Sequence, residues 1–124
     1  MYKLYAIWTH PQDVEAFERH YVDVHAPLAA AIPGLKRLVL TRTSDGLHGE
    51  ASPFHRVAEL WFESATVLER ALDSPEMKAG IRDAEEMQER FGVQLLSPAG
   101  MFSEQPLGPV ASAAQGAVNP ATPA

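Results

Sequence analysis

The stretch "FHRVAELWF", residues 54 to 62, carries large apolar side chains on both faces of a β-strand. Phe54, Arg56, Ala58, Leu60 and Phe62 point one way, and His55, Val57, Glu59 and Trp61 point the other. "YKLYAIWT", residues 2 to 9, repeats the pattern, with Leu4, Ala6 and Trp8 set against Tyr5 and Ile7. A sheet of such strands needs a cover on each side, because soluble proteins rarely leave a large apolar patch in water.

Neighbouring segments supply the first cover. From Asp13 to about Leu28, the residues Val14, Phe17, Tyr21, Val24 and Leu28 recur at steps of three and four and predict one amphipathic helix. Alanines 29 to 31 can extend it, and Ile32-Pro33-Gly34 ends it. "LKRLVLTRT", 35 to 43, reads as a strand, and "SDGLHGEASP" as a flexible connection. Ser64 is a candidate N-cap for a short helix to about Leu72. Ser74-Pro75 opens a longer helix with the stripe Met77, Ile81, Ala84, Met87 and Phe91, weakened at Gly80 and stopped by Gly92. In "VQLLSPAGMFSE" a fourth strand is expected, with Pro98 confining it to an edge or bulge. The order strand, helix, strand, strand, helix, strand predicts an α+β, ferredoxin-like βαββαβ fold, a four-stranded antiparallel sheet with both helices on one face.

The second cover is expected from a twin subunit. A homodimer would join sheet faces through Tyr5, Ile7, Val57, Glu59 and Trp61. A chain of 124 residues suits one domain, here residues 1–105, followed by an uncharged Pro- and Ala-rich tail over 106–124 that is expected to be flexible.

Sixteen acidic against ten basic side chains, net charge −6, disfavour nucleic acid and anionic membrane surfaces as partners. Neither a membrane-spanning apolar run nor a secretory leader pattern is visible, so a cytoplasmic location is expected. Without cysteine there is no disulfide, thiolate nucleophile or cysteine-bound metal. The histidines His20 and His25 stand five apart, not the three or four that put two ligands on one helix face, and no GxGxxG or P-loop occurs. Neither a metal nor a cofactor is expected.

A regular helix places His20 and His25 each about 70° from the stripe centre, on opposite sides. Both rings then border the gap between helix and sheet, where a group titrating near neutrality can give and take a proton. His25 is the first catalytic candidate and His20 the second. Tyr21, one turn before His25, could orient a phenolic or enol oxygen. Trp8, Phe17, Leu28, Leu60 and Phe62 are the expected ligand-contacting walls. Each has a purely structural alternative: His25 could bond free carbonyls at the helix end, His20 could sit at the stripe's rim, and Tyr21 and Trp8 could be core. Glu59 reads as an interface hydrogen-bonder ahead of a base, and Asp83 as solvated ahead of holding a partner across the sheet, while His10, His48 and His55 are expected in surface or dimer roles.

"FERHYVDVHAPLAAAIPGLKR", residues 17 to 37, resembles the opening motif of EthD-like proteins, in which an aromatic, a histidine pair and a proline precede a Pro-Gly-Leu turn. "RVAELWFESATVLERALDSPEMKAGIRDAEEM" resembles the second half of that family, so the resemblance spans residues 2 to about 104. It implies a dimeric α/β barrel and an association with bacterial ethyl tert-butyl ether degradation. Relatives of the same architecture include cofactor-free quinone-forming monooxygenases, polyketide cyclases, muconolactone isomerases and haem-degrading enzymes. Some lactone-isomerising relatives pair a helix histidine with a strand-three cysteine, where this chain has Leu60. The fold hosts unrelated chemistries, and the analogy does not choose among them. One titratable ring at the edge of an apolar gap points to a cofactor-free, His-assisted acid/base enzyme, of isomerase, cyclase or monooxygenase type, acting on a hydrophobic enol, lactone or quinol. Its alternatives are a non-catalytic binding or accessory protein of a degradation pathway and, further off, a haem-binding protein.

Overall fold

The computed structural model describes residues 1–110, and the rest of the tail expected from residue 106 lies outside them. Strand β1 (Tyr2–Trp8) pairs antiparallel with β3 (Arg56–Phe62), which pairs antiparallel with β2 (Leu35–Arg42). On the other edge of β1 the expected fourth strand is split into β4 (Leu95–Leu96) and β5 (Ala99–Met101). Between them Pro98 has no N–H to give, yet its carbonyl accepts from the Tyr5 N–H at 2.8 Å and keeps the edge attached. The spatial order β2-β3-β1-β4 and the antiparallel pairing are those of a ferredoxin-like sheet. Leu38, Leu60 and Leu4 stand abreast on one face, as do Leu40, Ala58 and Ala6.

Two serines start the second pair of helices. Ser64 accepts from the Val67 N–H at 3.3 Å to open α3 (Ala65–Leu72), and Ser74 accepts from the Met77 N–H at 3.1 Å to open α4 (Pro75–Phe91). To make room for α3, the turn before β2 needs Gly34, whose φ is +82° and where a Cβ would lie 2.7 Å from Val67 Cγ1.

The first predicted helix is not regular. It runs as α1 (Val14–His20), a π-helical turn over Tyr21–His25, and α2 (Ala26–Ala30). The Ala26 N–H reaches back five residues to the Tyr21 carbonyl, the bond that defines the wider turn. Pro27 supplies a physical reason: in an α-helix its ring would press on the carbonyl four residues back, and it has no N–H to bond there. The single stripe expected through Val14, Phe17, Tyr21, Val24 and Leu28 is therefore corrected. Phe17 and Tyr21 are buried; Val14, the first residue of α1, is 38% exposed, and Val24 is 40% exposed because the wide turn shifts its phase.

The helices cover one sheet face and enclose two adjoining buried clusters. Trp8, Phe17, Tyr21, Met87 and Phe91 form one, and Ile32, Leu60, Phe62, Leu68 and Met77 the other. On the opposite face Lys3 bonds Glu59 at 2.9 Å and lies 4.3 Å and 4.8 Å from the centres of the Phe102 and Trp61 rings. No helix among the described residues is long and apolar enough to cross a membrane.

Candidate active site

The π-turn decides where the two histidines point. Five residues along an α-helix is about 140° of rotation, but the wider turn returns the chain to nearly the same side, and both imidazoles reach one carboxylate on α4. His25 Nδ1 lies 2.9 Å from Asp83 Oδ2, and His20 Nε2 lies 2.9 Å and 3.0 Å from Oδ1 and Oδ2. Asp83, expected to be solvated, is instead 11% exposed at its side chain and gripped from two sides. A carboxylate can only accept, so His25 carries its proton on Nδ1 and keeps the Nε2 lone pair free.

His25 borders a cavity of about 100 Å³ between the helices and the sheet, which Trp8, Tyr21, Leu60, Met77 and Gly80 also line. Trp8 meets the His25 ring edge-on at 5.3 Å, and Tyr21 stacks beside it at 6.0 Å. Burial in this apolar setting pushes the His25 pKa below its ordinary 6.5, against the upward pull of Asp83 and with a further downward push from His20. The ring is therefore neutral at pH 7. Burial likewise pushes Tyr21 up to about 12, so it stays a phenol and a hydrogen-bond donor. The Tyr21 hydroxyl and the Trp8 indole N–H are both buried without a hydrogen-bond partner, an arrangement that costs free energy unless a bound polar group completes it.

Of the residues singled out in the sequence, His25, Tyr21, Trp8 and Leu60 come together around this cavity. Others do not. His20 faces an outer groove with Arg19, Asp23 and Arg90, because its ring reaches Asp83 from the solvent side. Phe17 and Phe62 are fully buried in the two core clusters, and Leu28 is half-buried, none of them lining the cavity. Sequence reasoning missed Asp83 and Gly80. The signal for Asp83 was Pro27, a helix breaker inside an otherwise helical pattern, which foretells a change of phase between the histidines.

A second carboxylate cluster lies close by on α1, two residues before His20. Glu18 accepts from His55 at 2.8 Å and from Arg56 at 3.1 Å and 2.5 Å. His55, expected in a surface or dimer role, is 5% exposed and sits just ahead of β3. The guanidinium of Arg56, followed by His55, holds the Glu18 carboxyl below the usual range.

Fold and site together define a small ferredoxin-like α+β protein with an imidazole–carboxylate pair at the wall of an apolar cavity. The chain belongs to the EthD family, the EthD domain matching residues 9–90. An EthD family protein from Bacillus halodurans is 33% identical and superposes with a TM-score of 0.75 over 83% of this chain and 99% of that one. An uncharacterized 11.0 kDa protein encoded in the thcB-thcC intergenic region of Rhodococcus erythropolis is 37% identical over 76 residues, 61% of this chain and 73% of that protein. SnoaB, a cofactor-independent oxygenase from Streptomyces nogalater, shares the fold at 19% identity, with a TM-score of 0.56 over 88% of this chain and 97% of its own.

Proposed function

We propose that the protein is a cofactor-free acid/base enzyme in which His25 takes a proton from a small, largely apolar enol, lactone or quinol. The observation that carries this reading is the Asp83 carboxylate on His25 Nδ1 at 2.9 Å, which leaves Nε2 as the basic atom of a ring lining the cavity. As Nε2 takes the proton, the carboxylate stabilises the imidazolium that forms. The rings of Trp8 and Tyr21, which line the cavity beside His25, are suited to hold the apolar body of such a ligand. The name of SnoaB, a cofactor-independent oxygenase, is compatible with this chemistry on a shared fold. Turnover of a panel of aromatic enols, lactones and quinols tests it. The expected result is turnover by the protein that His25→Ala abolishes; equal rates in a folded His25→Ala variant overturn the reading.

A second reading is favoured by one observation: among the residues lining the cavity, His25 is the one group that ordinarily titrates near neutrality. Such a site also suits a binding protein of a degradation pathway, which would hold the same compounds unchanged over long incubation. The cavity's small size argues against a haem macrocycle.

The working unit proposed is a homodimer through the outer sheet face, with Tyr5, Ile7, Val57, Glu59 and Trp61 at the interface. All five are half-buried before any partner arrives, and on the same face Lys3 is paired with Glu59 while the Arg37 guanidinium lies over the Trp61 ring. A sedimentation coefficient of a monomer at micromolar concentration would refute it.

A further inference from the structure

Gly80 is a glycine without a structural reason. It lies inside α4, where glycine is destabilising relative to alanine. Its φ is not among the positive ones, so no special backbone shape requires it. Nor does close packing: a Cβ built there would find no atom within 4 Å, although the residue is buried. The absent side chain opens onto the cavity that Gly80 lines, one helical turn before the carboxylate that holds His25.

We infer that Gly80 is a specificity-determining position, and that the space it leaves takes an apolar arm of a ligand whose weakly acidic hydroxyl faces His25. This rests on the cavity being the ligand site. The chemistry on the two sides agrees with it. Near His25 the cavity offers one acceptor, Nε2, to which a hydroxyl can donate, with the Trp8 and Tyr21 rings flanking it. Towards Gly80 the neighbouring walls are Met77, Ile81 and Ala84, which offer apolar surface.

Phenol, 4-ethylphenol and 4-propylphenol are suitable probes, titrated by calorimetry into the protein, Gly80→Ala, Gly80→Leu and His25→Ala. In the unaltered protein each added methylene should tighten binding by about fourfold, the value of one buried methylene. Gly80→Ala should raise the thermal midpoint by about 4 °C while weakening 4-propylphenol about tenfold and leaving phenol within twofold. Gly80→Leu should abolish the chain-length gain. If the alkylphenols bind Gly80→Ala as tightly as the unaltered protein, the role of Gly80 is overturned and the ligand site stands. A thermal midpoint that falls in Gly80→Ala overturns it too, because the space is then filled. If none of the phenols binds the unaltered protein, or His25→Ala binds phenol equally well, the ligand site falls and takes this inference with it.

Discussion

Asp83 and Glu18 each gather nitrogen-bearing side chains from other elements, yet the two clusters differ in what surrounds them. Glu18 faces Arg56, which is always charged, a His55 that is 5% exposed, and the outlying guanidinium of Arg42 at 3.8 Å. Asp83 faces two imidazoles and no guanidinium, and one of those rings looks into a cavity. A permanent cation locks a carboxylate and ties α1 to the start of β3. Two switchable bases leave a proton able to move. The difference teaches that geometry alone, a carboxylate between two bases, does not mark a site; the open Nε2 and the empty space beside it do.

Substitution should separate the clusters, first in rate. His25→Ala is expected to lower turnover by about 10² to 10⁴-fold with the fold intact by circular dichroism, and Asp83→Asn to lower it nearly as far by loosening the ring. Equal losses in Glu18→Gln would erase the distinction. Next in size is stability: Glu18→Ala should cost about 2–3 kcal/mol in urea unfolding, since it strands His55 and Arg56, whereas His25→Ala should cost less.

Acid should distinguish them as well. His25 has a lowered pKa in the folded protein, so the unfolded chain takes up the proton first; its contribution is whole above pH 6.5 and lost as pH falls below that value. Glu18, held below 4.5, contributes stability that is whole above 4.5 and lost only as pH falls through its lowered value. Unfolding measured against pH should therefore weaken in two stages, the first missing in His25→Ala and the second in Glu18→Gln. The smallest effect is expected for His20→Ala. Its ring meets Asp83 from the outer groove, so turnover should change by less than about threefold, and a larger fall would extend the working group beyond the cavity.

Much of the fold was legible in the chain. Capping serines at 64 and 74, the stop at Gly92 and the alternation in β1 and β3 are local signals with one physical meaning each, and each element lies within two residues of its expected place. The cavity's histidine was legible too, because a titratable ring at the rim of an apolar stripe is unusual. Asp83 was not, since reading it required the distance between two helices and a helical period that changes midway. His55 failed for a related reason. Its partner lies 37 positions away, and no periodicity reports a contact made across the fold.

The wide turn at Tyr21–His25 also means that this helix contains one spare residue. Val22, 52% exposed, is the natural one to excise. With Pro27 exchanged for an ordinary helix former, the shortened chain could wind as an unbroken α-helix and still set its two imidazoles four places apart, about 40° from each other. Two chains of unequal length can thus present the same pair of rings, and counting the gap between histidines is a poor guide to whether they meet.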